Sequence, residues 1–299
     1  MTGDRIVATG MQELRGPFLA TGVATGVLLP FVTPILASRG FSPEKIGVLL
    51  AVTSAAIIVT TPILGRLGDV VLGRRRTLQW AVLIAAGTSI LIGGQLALPL
   101  VGAALAAQYL LQTAFSTLLD SIAMHALGKE RHRYGRLRLL QSLSYAIAAF
   151  VAGVIYDRAG YGVASLVFPV TAAALLVLLQ TVRDPPRTKF DAPTVLPAES
   201  LAGPQLGGSR DAVEDRNWIG LSMLGLGFTW AALRATPSST GALAAILLAS
   251  VGLLTANVFL PLRLHDLGAA PSIIALSATA SALFEIPVML LGRRFVGLT

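Results

Sequence analysis

The chain contains no cysteine among its 299 residues, and only 13% of them are charged. The missing cysteine excludes a disulfide framework, an iron–sulfur centre and a zinc site built on cysteine. The scarcity of charge is more informative, because a soluble domain carries about a quarter charged residues. Lysine is rarer still, with 3 of the 23 basic residues. The composition therefore indicates a protein whose surface largely faces something other than water.

Hydrophobic residues make up 54% of the chain and are gathered in eight long runs. A helix of about 20 apolar residues crosses the hydrocarbon of a bilayer with its backbone hydrogen bonds satisfied internally. The sequence thus predicts an all-α, multi-pass membrane protein in contact with the lipid bilayer. The expected spans lie near residues 17–37, 43–64, 77–96, 98–127, 136–156, 162–182, 238–262 and 270–291.

The basic residues fall mainly in alternate gaps between these runs. With the amino terminus inside, the inner gaps hold 19 lysines and arginines and the outer gaps hold 4. Because loops rich in lysine and arginine stay on the cytoplasmic side, the pattern predicts a cytoplasmic amino terminus in the inner or plasma membrane. Topology also accounts for the net charge of +8, so the charge does not indicate nucleic-acid binding.

Residues 184–217 interrupt the pattern of apolar runs. They contain five prolines, charges of both signs and few apolar residues, which predicts a flexible cytoplasmic linker. Residues 218–234 fit an amphipathic helix lying at the membrane surface, and the alternative is a ninth span. The expected domains are a transmembrane bundle at 1–183, the linker with this helix at 184–237, and further transmembrane helices at 238–299.

A short motif recurs in the two transmembrane parts. Leu29-Pro30-Phe31 precedes Gly40, and Leu260-Pro261-Leu262 precedes Gly268. A glycine–arginine pair follows these glycines after 25 and 24 residues, respectively. The hairpins of spans 1–2 and 7–8 are therefore expected to be equivalent pieces of two related bundles. By this symmetry the chain comprises a complete six-helix bundle and the first two helices of a second bundle, truncated after the eighth span.

A glycine-rich loop joins spans 2 and 3. It contains Gly65-Arg66-Leu67-Gly68-Asp69 and, after three further residues, Gly73-Arg74-Arg75-Arg76. This loop resembles the signature loop of the major facilitator superfamily, which usually has two residues between the aspartate and the next glycine. The resemblance implies that Gly65, Asp69, Gly73, Arg74 and Arg75 form a cytoplasmic gating loop.

Asp120 in span 4 stands eighteen residues before Arg138 in span 5. The pair resembles the lactose permease and nucleoside–proton symporter branch, in which an acid and an arginine at this spacing share substrate binding. Glu285-Ile286-Pro287 in span 8 is similar to a glutamate–proline segment of related permeases. The resemblance implies a transporter with its binding site between two bundles, near the midplane of the membrane.

Polar residues recur every fourth position of span 4, and at i, i+3, i+4 and i+7 of span 5, so each set lies on one helix face. Polar groups inside a bilayer need a partner or a water-filled cavity. The alternatives are a shared cavity wall and structural hydrogen bonds or an ion pair between the helices. The expected substrate-binding residues are Gln108, Gln112, Asp120, Arg138, Gln141, Tyr145 and Asn257.

Two acids are expected to differ in role. Arg138 favours the charged form of Asp120, which suits that pair to orienting a polar substrate. Glu285 has no basic residue in its own span, so it is the better proton carrier, with Asp120 the second proton-coupling candidate. The alternative for Glu285 is an ion pair with Arg293, about 12 Å further along the helix.

Gly22 and Gly26 lie four residues apart in span 1 and are expected to allow close helix packing. The three histidines do not cluster, so no metal is expected, and the sequence lacks a nucleotide-binding or hydrolase motif. The sequence thus predicts a transporter without cofactor or enzyme activity, which takes up a small polar or weakly acidic solute together with protons. The alternatives are an exporter, an uncoupled facilitator, or a truncated membrane protein that does not transport.

Overall fold

The computed structural model describes residues 2–94, 96–128, 133–182 and 237–295. Only the helical backbone is described for residues 2–10 and 285–295, and for several positions within 237–254. Met1–Pro186 and Thr255–Thr299 form one compact unit, and Arg187–Leu254 form another. The expected linker and its surface helix lie outside the described residues, so the division into three domains stays a prediction.

Every regular element in the described ranges is helical, which confirms the all-α prediction. Short 3₁₀ turns precede the second and seventh helices at Leu29–Phe31 and Tyr161–Val163, and a π turn at Leu67–Val71 extends the third. The α-helices are α1 (Thr2–Gly26), α2 (Val32–Ser38), α3 (Pro43–Arg66), α4 (Arg74–Gly93), α5 (Leu98–Leu127), α6 (Tyr134–Ala159), α7 (Ala164–Leu179), α8 (Pro237–Asp266) and α9 (Pro271–Phe295).

Six stretches within the described residues are long and apolar enough to cross a membrane, and they match the first six expected spans. The helices α8 and α9 occupy the positions of the last two, and α9 is apolar over Pro271–Phe284. The first stretch begins earlier than expected. The six are Met11–Ser38, Pro43–Val71, Arg74–Gly93, Leu98–Leu127, Tyr134–Ala159 and Tyr161–Leu179.

Large apolar side chains are exposed on the outer faces of these helices. Ile58 of α3 is 72% exposed and Val170 of α7 is 70% exposed. Soluble proteins rarely expose contiguous apolar surface, whereas the tails of membrane lipids cover it readily. The same class includes Val48, Val52, Ile63, Trp80, Ile84, Ile147, Leu166 and Val177.

The backbones of α1 and α6 approach each other closely at two glycines of α1. A Cβ atom added to Gly22 would lie 2.0 Å from Oγ of Ser144 and 2.3 Å from the carbonyl oxygen of Gln141. A Cβ atom on Gly26 would lie 2.5 Å from the carbonyl oxygen of Tyr145. The structure therefore confirms the expected packing role of both glycines.

The first span is interrupted between α1 and α2. Pro30 lies in the 3₁₀ turn that separates these helices, and proline has no N–H to continue the α-helical hydrogen bonds. The Tyr156 hydroxyl donates a hydrogen bond of 2.7 Å to the carbonyl oxygen of Val27 just before the turn. The Tyr156 ring also packs edge-on against Phe31, with the ring centroids 4.8 Å apart. The interruption is thus held against α6 by one buried tyrosine.

The turns that follow α2 and α8 have the same hydrogen bonds. The N–H groups of Gly40 and Phe41 donate to the carbonyl oxygens three and five residues before them. Gly268 and Ala269 do the same, and both glycines have positive φ, at 89° and 77°. This arrangement is the Schellman motif, which favours glycine because the residue at that position is left-handed. The two turns support the equivalence of the two hairpins proposed from the sequence.

The helix α9 packs tightly against α6, and a glycine makes this possible. A Cβ atom added to Gly153 would lie 2.6 Å from Cβ of Ala275 and 2.9 Å from the carbonyl oxygen of Pro271. The Ser272 N–H, in the first turn of α9, donates to Oδ1 of Asp157 at 3.0 Å. This contact fixes α9 beside α6, whose other half carries the polar residues described next.

Candidate functional site

A cavity of about 350 Å³ lies among α1, α5, α6, α8 and α9. Its size is near the lower end of the ~300–1,000 Å³ usual for small-molecule sites. Apart from Leu29, Ala278 and Ala282, every described residue that lines it is polar. The polar lining consists of Thr25, Tyr109, Gln112, Thr113, Ser116, Arg138, Gln141, Ser142, Tyr145, Asn257 and Ser281.

Five of the seven residues expected to bind substrate line this cavity. They come from three helices that are separated in the sequence: α5, α6 and α8. Gln108 and Asp120 lie at the two ends of the polar stripe on α5, and neither lines the cavity. The five lining residues are Gln112, Arg138, Gln141, Tyr145 and Asn257.

Helix geometry explains why only the middle of the stripe on α5 reaches the cavity. An α-helix turns about 100° per residue, so a spacing of four residues rotates the side chain by about 40° at each step. From Gln108 to Asp120 the stripe therefore turns by about 120°. Gln112 and Ser116, in the middle, face the cavity, while the two ends turn toward other neighbours.

Arg138 belongs to a short chain of polar contacts across the cavity wall. Its Nη1 atom donates to Oε1 of Gln141 at 3.1 Å, and Nε2 of Gln141 donates to Oγ of Ser116 at 3.0 Å. Nη1 is also 3.6 Å from Oδ2 of Asp120, which is an ion pair but longer than an ordinary hydrogen bond. The chain connects α6 to α5 and orients the guanidinium at the cavity surface.

Asp120 lies beside the cavity rather than in its wall. Its side chain is 30% exposed, and among the described residues the Tyr134 hydroxyl also interacts with its carboxylate. The second carboxylate oxygen, Oδ1, is buried and has no hydrogen-bond partner in the part of the chain described here. The acid is thus held loosely by Arg138.

Gln108 is fully buried where α4 packs on α5. Its Oε1 atom accepts a hydrogen bond of 2.8 Å from the Thr88 hydroxyl of α4. This contact is of the interhelical kind that the sequence analysis held open as an alternative. Gln108 therefore stabilises the packing of two helices and has no access to a solute in the cavity.

Gln112 is deeply buried, and its side-chain amide forms no hydrogen bond with another described residue. Its side chain is 3% exposed and lines the cavity. Neither Oε1 nor Nε2 has a hydrogen-bond partner among the described residues. Buried amides are normally bonded, so an unpaired amide at a cavity wall indicates where an occupant would bind.

The glycine-rich loop forms a second polar cluster, at the end of α3. Arg74, which is 9% exposed, donates from Nε to Oδ1 of Asp69, and its Nη1 atom contacts Nδ1 of His125 on α5. Arg75 donates to the carbonyl oxygen of Val182 at 3.0 Å. Gly73 has a φ of 91°, which other residues rarely adopt. The loop therefore ties α3, α4 and α5 together through one buried arginine.

The MFS_1 like family matches residues 18–298, which is nearly the whole chain. The chain belongs to this family, and so to the major facilitator superfamily. A search of curated proteins found no match. Together with the six apolar helices, the family identifies a multi-pass membrane protein of a transporter family.

In a major facilitator protein the loop between spans 2 and 3 is the signature loop, and here it carries one residue more than usual. The additional residue lies next to the π turn at Leu67–Val71, where the N–H of Leu72 bonds to the carbonyl oxygen of Leu67 at 2.9 Å. A π turn closes over one residue more than an α turn, so it takes up an insertion. Asp69 and Arg74 can therefore still pair. A Cβ atom added to Gly65 would meet nothing within 4 Å, so the packing of the described residues does not require glycine there.

Sequence reasoning missed several lining residues of this major facilitator protein, and Tyr109 and Thr113 are the largest omissions. With Ser116 they are spaced i, i+4 and i+7 on α5, which is itself a pattern of one helix face. The predicted stripe was defined by the four-residue spacing that begins at Gln108, and Tyr109 and Thr113 do not belong to that spacing. The interaction of His125 with Arg74 carries no signal in the sequence, because the residues are fifty-one positions apart.

Glu285 lies within α9, four residues after Ser281, but its side chain is outside the described residues. Its expected role in proton coupling therefore stays a prediction. Among the residues that the structure describes, no group of three histidines or acids gathers into a potential metal site.

Proposed function

We propose that this protein is a secondary transporter that takes up a small polar solute together with protons, by alternating access. The observation that carries the proposal is the cavity, which is polar and is lined both by the first six spans and by α8 and α9. Helices of a membrane protein tolerate so many polar groups only around water or a solute. In secondary transporters of this architecture, the binding site lies between two sets of helices near the midplane.

The contact between Asp120 and Arg138 supports the narrower likeness to the lactose permease and nucleoside–proton symporter branch. The two side chains meet at 3.6 Å although they are eighteen residues apart on different helices. Glu285 is proposed as the proton carrier, because α9 also carries Ser281 of the cavity wall one turn earlier. Transport changes no covalent bond, so no enzyme activity is proposed.

The side from which the cavity opens follows from the orientation of the helices. The distribution of arginine supports a cytoplasmic amino terminus, and the even number of spans before α6 then puts Tyr134 inside and Ala159 outside. The tight contacts of α6 with α9 occur at Gly153 and Asp157, in the outer half. The cavity residues of α6 lie between Arg138 and Tyr145, in the inner half. We therefore propose that the described state is closed outside and accessible from inside.

The absence of cysteine allows this proposal to be tested with a single reporter. Ser142→Cys places a thiol in the cavity wall, and membrane-impermeant maleimide is applied to intact cells or to inverted vesicles. We expect labelling in inverted vesicles and little labelling in cells. Adding Gly153→Trp forces α6 and α9 apart, because even a Cβ atom does not fit there. We expect this second change to expose the thiol to the outside of cells.

The matched control is Gly135→Trp, also on α6, where an added Cβ atom would meet nothing within 4 Å. It should leave the labelling pattern unchanged. Equal labelling from both sides, or no response to Gly153→Trp, would rule out alternating access through this cavity.

Proton coupling has its own test in proteoliposomes that contain a pH indicator. Sugars, nucleosides and aromatic acids are added outside in turn. A solute that enters with protons acidifies the interior, and the Glu285→Gln chain should take up the same solute without acidification. Acidification that persists in this variant would show that Glu285 is not the proton carrier.

A further inference from the structure

We propose that the cavity binds a small organic monoanion, whose carboxylate is held by Arg138 and whose neutral polar part is hydrogen-bonded by Gln112. This inference rests on the proposed function and specifies its solute.

The first argument is the charge of the cavity wall. Arg138 is the one charged side chain among the described residues that line it, because Asp120 lies to the side. The resemblance to the sugar and nucleoside permeases implied that the acid and the arginine share the substrate. Here the acid does not line the cavity, so a solute in it contacts Arg138, while the carboxylate of Asp120 lies 3.6 Å from Nη1 of Arg138 and outside the cavity wall. A partly buried cation in a cavity wall attracts an anion and repels a cation.

The second argument is the hydrogen-bonding capacity that Arg138 retains. Within the described residues its hydrogen bond goes from Nη1 to Gln141, and its ion pair with Asp120 is long, at 3.6 Å. The guanidinium has five N–H donors in a planar fork, which matches the two oxygens of a carboxylate. Most of the N–H donors of Arg138 are therefore available to a ligand. A bound carboxylate would form the short ion pair with the guanidinium that Asp120, at 3.6 Å, does not form.

The third argument concerns the part of the solute that is not charged. Gln112 is 3% exposed at the cavity wall, and both polar atoms of its amide lack a partner in the described part of the chain. An amide of this kind needs an occupant that both donates and accepts a hydrogen bond, such as a hydroxyl or another amide. Tyr109 and Tyr145 add two aromatic side chains to the same wall. The solute is thus an acid with a polar body rather than a fatty acid.

The test compares matched pairs of probes in which a neutral polar group replaces the carboxylate. Nicotinate is paired with nicotinamide and gluconate with sorbitol, and each is titrated by calorimetry into the purified chain of 299 residues. We expect at least one carboxylate to bind, and to bind about 10-fold or more tightly than its neutral partner. Arg138→Gln should abolish this ratio. Arg138→Lys should keep a weaker preference for the anion, because lysine retains the positive charge but lacks the planar guanidinium that binds both carboxylate oxygens.

Arg136→Gln is the control, because Arg136 lies on the same helix but is exposed and outside the cavity wall. If Arg138→Gln does not fold, the double variant Asp120→Asn with Arg138→Gln removes both charges and leaves no unpaired acid. Equal or tighter binding of the neutral partners, or no binding of either carboxylate, overturns the proposal. The cysteine-labelling experiment uses no solute, so it can still succeed if this proposal fails.

Discussion

Arg138 and Asp120 form an ion pair across α5 and α6, with Nη1 and Oδ2 3.6 Å apart, yet only Arg138 lines the cavity. The two partners therefore have unequal access to a solute. Arg138 can contact the solute directly, whereas Asp120 can act only through the position of Arg138.

This asymmetry predicts opposite outcomes for two neutral substitutions. Asp120→Asn removes the acid that competes for Arg138, so the affinity for nicotinate should stay within about 3-fold of the unmodified chain or increase. Arg138→Gln should lower it by about 10-fold or more, since a charge-assisted hydrogen bond is lost. Calorimetric titration of both variants measures the difference. Equal losses would instead indicate that the acid and the arginine bind the solute jointly.

Because α1 and α6 approach each other closely, adding one methyl group at Gly22 should lower the free energy of unfolding substantially. Gly22→Ala places a Cβ atom about where Ser144 and the Gln141 backbone already lie, so the free energy of unfolding should fall by ~1–3 kcal/mol or more. Thermal unfolding of the purified protein in detergent measures this effect. Gly87→Ala on α4 is the control, because nothing lies within 4 Å of its added Cβ atom. It should be neutral or raise stability by up to about 1 kcal/mol.

Tyr156, which is buried, and Tyr161, which is partly buried, predict contrasting effects of removing a hydroxyl. Tyr156→Phe leaves the Val27 carbonyl oxygen without its donor, which should lower stability by about 1–3 kcal/mol. Tyr161→Phe removes a buried hydroxyl that has no partner in the described residues, so its effect should be neutral or slightly stabilising. The unfolding midpoints of the two variants test this directly. A Tyr161→Phe loss as large as that of Tyr156→Phe would contradict the hydrogen-bond assignment.

The sequence predicted the helical elements well because the signals that specify them are local. Ser42 accepts a hydrogen bond from the Lys45 N–H and Pro43 opens α3, as the residue types alone indicated. Gly40 and Gly268 end their helices for the same local reason. The π turn at Leu67–Val71 was not predicted, because no residue type in the loop distinguishes its Leu72 N–H to Leu67 carbonyl hydrogen bond from that of an α turn.

The candidate site was predicted only in part. Gln108 and Gln112 are the same residue type at the same spacing, and periodicity gives no reason to separate them. The Thr88 hydroxyl on α4 donates to Oε1 of Gln108, although Nε2 of Gln108 has no partner among the described residues. Neither polar atom of the Gln112 amide has such a partner. Which of two equivalent glutamines reaches the cavity is therefore decided by the neighbouring helix.

The sequence alone determined that this protein is a bundle of membrane-spanning helices, and which of its few polar residues lie within them. It could do so because hydrophobicity and helix capping act over a few adjacent residues. Only the tertiary structure decided that Arg138, Gln112 and Asn257 share one cavity while Asp120 and Gln108 do not. Helix rotation accumulates with distance along the chain, and the identity of the helix packed on each face is a non-local property.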